Sequence, residues 1–461
     1  MESGVLRQIT LTLIVSTMAL SSGMSTGWLT PMTPKLRRFD SPVGRMTKQD
    51  ISHLAAVPLY VGFFVAFAYG FIAKKFGRKD ALICVGIPSI VSGLILTFTK
   101  SKVALFVGRS LGGCTMIGGV MASFMYVSET VNDSIRGTLM TILAFQINVG
   151  ILLSNVLGDT LSYETFNFIG IAIPVVSSIL ILWLPESPHF LVDNDRIKDA
   201  MRSLLWLKEG DHIAAKSELE SIKPDRTAER HISILQVLKF RGSRTALVVS
   251  LLACILQCLS GIHATLYYAD ILSKSSISLM SPAISTNVIS LLTLTSTLVC
   301  VFLIDTTGRK PLLYLSFIGG CVSLAALTSF LYIQLQGADV TNFGWIPITS
   351  MSVFIVCNTA GLATVPVVLT NELPAPNVKP VVSSMVSAIA TAIVIAILQS
   401  LPILEDNVGL YLVFAISSGF NFLGIFYTWF MVPETSGRSL TRIGRELRGE
   451  RVLSSSAGGR V

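Results

Sequence analysis

Three short polar signals each occur twice, in the same order, in a chain that is 51% hydrophobic and only 13% charged. Gly77-Arg78-Lys79 has its counterpart in Gly308-Arg309-Lys310. Glu129 is followed seven residues later by Arg136, and Glu372 seven residues later by Lys379. Pro185-Glu186-Ser187 has its counterpart in Pro433-Glu434-Thr435. Such an ordered recurrence signifies an internal duplication. The chemistry on offer is reversible ion pairing. A Gly-Arg-Lys turn lets two helices approach closely and sets cations at a surface. Glu129, Glu186, Glu372 and Glu434 are carboxylates for those cations to meet. An exposed pair contributes about 0–1 kcal/mol, yet a network of several can bias a two-state equilibrium. Bond-making chemistry is not indicated. No nucleophile, base and orienting acid fall together, and no Gly-rich phosphate loop precedes a basic-Ser/Thr pair. Cys84, Cys114, Cys254, Cys258, Cys300, Cys321 and Cys357 all lie in apolar runs, without the spacing of a disulfide or zinc framework. No metal, no cofactor and no enzyme activity are expected.

The elements that must carry these charges are membrane spans. Mean hydropathy is +0.68, and 13% charged residues is far below the roughly 25% of soluble domains. The net charge of +8 points to membrane topology rather than nucleic acid, because the bases crowd into short stretches between apolar runs. A spanning helix needs roughly 20 mostly apolar residues. Twelve segments qualify: 9–30, 54–73, 81–99, 103–126, 138–160, 166–184, 245–270, 284–304, 312–334, 344–369, 380–401 and 409–432. They are numbered helices 1 to 12 below. Backbone groups in lipid must satisfy one another, so each is a helix. Ala19-Leu20-Ser21 loosely resembles a signal-peptidase site, but losing helix 1 would break the six-plus-six symmetry. The reading is an all-α membrane protein of twelve transmembrane helices in two parallel six-helix repeats. Residues 1–184 form the first bundle and 245–432 the second. Residues 185–244 are a linker with short amphipathic helices, and 433–461 a polar tail.

Orientation follows from Lys and Arg. With both termini in the cytoplasm, the bases expected outside are Lys35, Arg37, Arg38, Arg45, Lys48, Lys100, Lys102 and Lys274. All others except Arg109, within helix 4, fall inside. The five between helices 1 and 2 run against the rule. The sequon Asn132-Asp133-Ser134 then lies inside, where no glycan is expected.

At these motifs the sequence resembles the sugar porter family of the major facilitator superfamily. The residues that carry the resemblance are Gly70 to Lys79, Ser128-Glu129 through Arg136-Gly137, Pro185 to Leu191, Gln257 to Ile262 with Tyr267-Tyr268, Asp305 to Lys310, and Pro433 to Gly437. Gly27-Trp28-Leu29-Thr30-Pro31 and the short tail look like the branch that holds the insect facilitated trehalose transporters. The resemblance implies the major facilitator fold and alternating access, in which one six-helix bundle rocks against the other. It also implies a cytoplasmic gate built from Arg78, Lys79, Glu129, Arg136, Glu186, Arg309, Lys310, Glu372, Lys379 and Glu434, its charges pairing between bundles when the inside is closed.

The departures concern substrate. Where the family has Asp in the first loop motif this chain has Lys74, and where it has Arg in the second this chain has Thr306. The Arg after Pro-Glu-Ser-Pro is His189 here. In helix 7 the family reads Gln-Gln-x-Ser-Gly-x-Asn, whose amides bond sugar hydroxyls. Gln257 keeps the first amide, while Cys258 and His263 replace the others. The helix 5 Gln falls on Ala144, with Gln146 and Asn148 within a turn. The helix 8 Asn falls near Thr293, the helix 10 Trp on Val367, and the helix 11 Asn-Trp pair on Ala390-Thr391. The candidate substrate contacts are therefore Gln257, His263, Gln146, Asn148, Thr293, Tyr267 and Tyr268. Gln257 and His263 are six residues apart, about 240° around an ideal helix, and converge only if helix 7 breaks at Ser260-Gly261.

Proton coupling needs a titratable group in the path, and intramembrane carboxylates stand out. Proton-coupled sugar porters have an Asp in helix 1 where this chain has Ser25. Arg109 thereby lacks its usual acidic partner and is expected to snorkel or bind carbonyls. The expected function is facilitative transport of a sugar (trehalose, a hexose or a related polyol) by a monomer in the cell membrane. Its only partners are the small molecule and the bilayer. The alternatives are a proton symporter using His263 and a non-transporting sugar sensor or degenerate paralogue.

Overall fold

The computed structural model describes residues 4–39, 41–222, 241–265, 282–337, 343–374 and 378–433. Among them, 12 helices are long and apolar enough to cross a membrane. They are helix 1 Val5–Leu36, helix 2 Gln49–Lys75, helix 3 Arg78–Phe98, helix 4 Lys102–Thr130, helix 5 Arg136–Thr160 and helix 6 Tyr163–Leu182. In the second half they are helix 7 Gly242–Thr265, helix 8 Asn287–Ile304, helix 9 Arg309–Leu335, helix 10 Ile346–Glu372, helix 11 Lys379–Leu401 and helix 12 Leu410–Phe430. Every expected span is present. Several run further at their ends than the apolar stretch alone, because polar residues continue or cap the helix. Helix 2 is the clear case. Thr47 accepts the Asp50 N–H at 3.1 Å and Asp50 accepts the Thr47 N–H at 2.9 Å, a capping box that starts the helix before its first apolar residue.

Small residues decide how closely the helices pack. Helix 1 lies along helix 5, and a Cβ at Gly23 would meet the Ile147 carbonyl oxygen at 2.0 Å. One at Gly150 would meet the Leu20 carbonyl oxygen at 2.3 Å. Without a hydrophobic drive between helices in lipid, this backbone proximity supplies dispersion contact. Two seams join the halves: helix 2 against helix 11, and helix 5 against helix 8. Asn148 donates to Thr297 at 2.9 Å and Asn155 to Ser290 at 3.0 Å across the second seam. In the first, Ser384 Oγ donates to the Ala66 carbonyl and Gln399 to the Tyr60 hydroxyl.

Four of the described spans are interrupted, helix 1 at Trp28 between Val5–Gly27 and Leu29–Leu36. Helix 4 widens into a π-turn over Cys114–Gly119. Helix 10 opens between Ala360 and Val365, where a Cβ at Gly361 would meet the Leu312 carbonyl oxygen at 2.3 Å. In helix 7 the continuous helix ends at Leu259 and Gly261 takes φ +99°, so the break at Ser260-Gly261 is present. Positive φ favours glycine here. The linker forms Pro188–Asp193, Ile197–Leu207 and His212–Ile222, packed on a small core that includes Phe190, Leu191, Leu204 and Leu219. Ile197–Leu207 packs through Ala200, Leu204 and Leu207, which are buried.

Gly23→Val should lower the thermal midpoint in detergent by an amount equivalent to about 3 kcal/mol, the upper end of ordinary overpacking, since backbone rather than a side chain must yield. Gly170→Ala, with nothing within 4 Å of the new Cβ, should leave the midpoint unchanged or raise it slightly. A neutral Gly23→Val would contradict the close crossing.

Candidate functional site

The charged residues of the repeated motifs gather at one end of the bundle, and they are buried. Gly77 takes φ +114° and Gly308 φ +94°, each turning the chain so that the following Arg faces inward. Arg78 Nη1 donates to the Ala73 carbonyl at 3.3 Å, and Arg309 Nη1 to the Ile304 carbonyl at 3.1 Å. The same local device thus appears in both halves. Arg78 then meets Glu129, Nε to Oε2 at 2.9 Å and Nη2 to Oε1 at 3.2 Å. Arg309 Nη2 meets Glu372 Oε1 at 2.9 Å. Both pairs lie within their own half. Among the contacts seen for these charged residues, two join the halves: Arg136 Nε to Glu372 Oε1 at 3.4 Å, and Lys379 Nζ to Ser128 Oγ at 3.1 Å. Arg136 also pairs with Asp133. Arg78, Glu129, Arg136, Arg309, Glu372 and Lys379 are each at most 4% exposed.

Three expectations are corrected here. The pairs are not exposed ones of 0–1 kcal/mol. Removing one partner of a buried pair costs about 3–5 kcal/mol. Glu186 does not reach across the halves. Its carboxylate accepts the backbone N–H groups of Arg78 and Lys79 at 3.0 and 3.1 Å, capping the N-terminus of helix 3 where a negative charge is favoured. Lys79 and Lys310 likewise stay within their own halves in the contacts seen here. Lys79 Nζ donates to the Leu182 carbonyl at 2.7 Å and Lys310 Nζ to the Trp429 carbonyl at 3.1 Å. Each ammonium thus sits at a helix C-terminus. Glu434 lies outside the described residues.

His189 sits among Glu129, Lys379, Arg78 and Arg136, and its burial pushes its pKa down to about 4. Glu186 is pushed upward by burial, against its backbone donors. Ser187 completes the cluster by donating to Glu129 Oε2 at 2.5 Å.

Midway between the faces, polar groups converge at the breaks of helices 7 and 10. Gln257 Nε2 approaches the Ala363 carbonyl, in the open turn of helix 10, at 3.5 Å. Ser260 is buried and held from two sides: Asn358 donates to its Oγ at 3.1 Å and Asn421 to its carbonyl at 2.8 Å. His263 is half-buried, in the short turn after the break. Cys258 Sγ contacts the Ala390 carbonyl at 3.8 Å, so two positions that depart from the family pattern lie against each other. Thr293 donates to its own helix at Ile289. Asn148 faces helix 8, while Gln146, two residues away, is turned about 200° from it. The two do not share a face of an ideal helix, and Asn148 reaches the seam. Tyr267 and Tyr268 lie outside the described residues. Thr297, Asn358 and Asn421 were not singled out from sequence. Their signal was available, since polar residues inside apolar spans commonly bond across helices.

Near the opposite end, Arg109 is 4% exposed. Its Nη1 donates to the Ser25 carbonyl at 2.7 Å and its guanidinium lies 5.1 Å from the Trp28 ring centroid. Among the described residues no carboxylate pairs with it. Trp28 Nε1 donates to Asn167 at 2.8 Å. Of the two expectations for Arg109, carbonyl binding is the one seen.

A twelve-helix bundle with a buried ion-pair seal at one end and polar helix breaks at its middle defines a membrane transporter of the major facilitator architecture. The family described as Sugar (and other) transporter matches residues 10–447, and the chain belongs to that family. It is 28% identical over 455 residues to the facilitated trehalose transporter Tret1 of Polypedilum vanderplanki, covering 98% of this chain and 90% of that protein. It is equally 28% identical to Tret1 of Culex quinquefasciatus, covering 98% and 88%. Among solved structures, the proton:xylose symporter XylE bound to 6-bromo-6-deoxy-D-glucose superposes with a TM-score of 0.80 at 20% identity, covering 96% of this chain and 100% of that one. The inward-open form of XylE from E. coli gives 0.67 at 19% identity, covering 95% and 99%.

Arg136→Gln should loosen the closed end by about 3 kcal/mol, the lower end for a broken buried pair, because Glu372 keeps Arg309. Cys300, fully buried just inside the end of helix 8, should then label with a thiol reagent more than tenfold faster. Lys79→Gln should leave the rate unchanged. Equal rates in wild type and Arg136→Gln would mean that the pair does not hold this end shut.

The low His189 pKa has a definite sign. Unfolding lets the ring take up a proton between about pH 6.5 and 4, so stability falls as pH falls through that window and is flat above it, by no more than about 3 kcal/mol in all. Glu186 acts with the opposite sign. His189→Gln should therefore flatten the acid side of the thermal-midpoint profile. An unchanged slope would remove His189 as its cause.

Proposed function

We propose that the chain carries a sugar or polyol down its gradient by alternating access, without a coupled ion, and that the structure is its state closed at the linker end. Trehalose, a hexose or a related compound is the substrate class that the relatives' names suggest. The observation that carries uncoupled transport is the Ser25–Arg109 contact. Where a proton-coupled relative places a carboxylate, this chain offers a backbone carbonyl and an indole face. A carbonyl and a cation–π contact offset the cost of the buried guanidinium without a group that titrates. The acids of the cluster sit at the other end, engaged with Arg and Ser.

In this reading Gln257 and His263, on either side of the helix 7 break, face the substrate, with Asn148 and Thr293 on the opposite wall. Arg136–Glu372 and Lys379–Ser128 are the gate contacts that must part for release. Arg78–Glu129 and Arg309–Glu372 keep each half's charges paired while it is open. Orientation with both termini in the cytoplasm of a cell-membrane protein is supported by the described linker bases at the gate end, where Ser203 beside Arg202 bonds the Glu186 carbonyl and Lys208 bonds Asn132. Of the bases that run against the rule, Lys35 donates to the Leu161 carbonyl at the end of helix 5 and Arg45 stacks on Phe39 at 4.3 Å, which gives two of them local partners. A single chain supplies both halves of the path, so a monomer suffices.

In proteoliposomes, uptake should not respond to an imposed proton gradient, and accumulation should stop at equal concentrations. Uphill uptake that a protonophore abolishes would contradict uncoupled transport and would point to His263.

A further inference from the structure

Beyond the transport path, a cavity of about 350 Å³ lies where helix 6 meets the linker. Trp183, Leu184 and Trp206 form its apolar walls, and Arg196, Arg202 and Asp199 line its rim. Helix 6 packs against helices 1 and 3, and its remaining face is apolar and open. Phe168, Val176, Ile179, Leu182 and Trp183 are all exposed and fall within an arc of about 120° at 100° per residue. This is a lipid-facing stripe, and it runs directly into the cavity at Trp183. Indoles at such a boundary are typical of the headgroup level.

Within the lining Arg196 and Arg202 balance Asp199 and Glu186, and the surplus of cations comes from Arg7 and Lys79 beside it. Arg196 pairs with Asp199 at 2.9 Å. Arg202 is 82% exposed along its side chain, and its contact with Asp199 is a loose 3.4 Å. Arg7 lies beside the cavity, donating to the Trp206 carbonyl at 2.8 Å and stacking 5.7 Å from the Trp206 ring centroid. Lys79 caps helix 6 at Leu182. Glu186 is already engaged by the backbone of helix 3. Guanidinium donors in a forked array match phosphate oxygens. A free phosphate would use only the rim. The apolar walls and the stripe that feeds them fit a ligand with hydrocarbon attached to its phosphate.

We propose that this cavity binds the headgroup of an anionic phospholipid, with its acyl chains along the outer face of helix 6. Ser203 Oγ donates to the Glu186 carbonyl at 2.7 Å, which ties the linker helix bearing Arg202 to the residue that caps helix 3. A lipid held here therefore pins the linker to the first half. The inference does not depend on the substrate or on which face is cytoplasmic.

The test uses the full chain purified in neutral detergent. Phosphatidylglycerol, phosphatidylcholine of the same chains, or inorganic phosphate is added, with retained lipid read by native mass spectrometry and stability by thermal midpoint. Phosphatidylglycerol should be retained over phosphatidylcholine and should raise the midpoint. R196Q/R202Q should weaken its apparent affinity roughly 10- to 30-fold, since each cation near an anionic lipid contributes about 1 kcal/mol. R37Q/R38Q, which removes equal charge at the opposite end, should leave that affinity unchanged. Trp183→Ala, which keeps the charges and opens the wall, should also weaken lipid binding, and it serves if R196Q/R202Q does not fold. Equal retention of the two lipids would overturn the proposal. So would an unaffected R196Q/R202Q or Trp183→Ala variant, or a midpoint shift reproduced by inorganic phosphate alone.

Discussion

The Glu372 carboxylate is fully buried and touches one guanidinium from its own half, Arg309, and one from the other, Arg136. A buried carboxylate is tolerable only with close cationic partners, and a second partner is available only when the two halves meet. This makes closure a discrete event. The local pairs Arg78–Glu129, Arg309–Glu372 and Arg136–Asp133 each lie within one half, so in the proposed alternating-access cycle none of them has to break when the halves part. In that proposed cycle the cross-contacts Arg136–Glu372 and Lys379–Ser128 are the ones that part. Packed interfaces of this kind switch between arrangements rather than deforming continuously.

The duplication explains why the same parts recur and why they are not used identically. Gly77 and Gly308, the Arg that follows each, and the Lys after it make matching contacts in the two halves. The seventh residue after each repeated Glu differs: Arg136 reaches a carboxylate, whereas Lys379 reaches the Ser128 hydroxyl. The first half also recruits Ser187 and His189 from the linker to the Glu129 side. The charge cluster is therefore asymmetric, with a true ion pair across one contact and a charge-to-hydroxyl bond across the other. The middle of the bundle shows the same partial symmetry, with a π-turn in helix 4 and an open turn in helix 10.

Much of the fold was legible because lipid imposes length and apolarity on every span. All twelve were found, and the Gly261 break was readable because Ser-Gly in an apolar helix invites one. The open turn at Gly361 carried the same residue type but was missed, since its cause is the close approach of Leu312 from another helix. The charge cluster was legible in composition and not in geometry. Sequence cannot say that Glu186 turns back onto the helix 3 N-terminus, or that Arg136 reaches past Asp133 to Glu372, because both depend on which helix ends meet. For the same reason Gln146 and Asn148, neighbours in sequence, part company in space, and Thr297 appears as the partner of Asn148 only once helices 5 and 8 are side by side. The substituted positions Cys258 and Ala390, read separately along the chain, prove to touch.

The account rests on a carrier that returns loaded or empty between two faces and needs no ion to do so. Counterflow tests this most directly. Proteoliposomes preloaded with an unlabelled sugar or polyol from a panel including trehalose and hexoses are diluted into trace labelled substrate, with no ion gradient present. The account predicts a transient overshoot of label above equilibrium for at least one member of the panel. Protein that is folded and inserted but shows no overshoot for any sugar or polyol would contradict it.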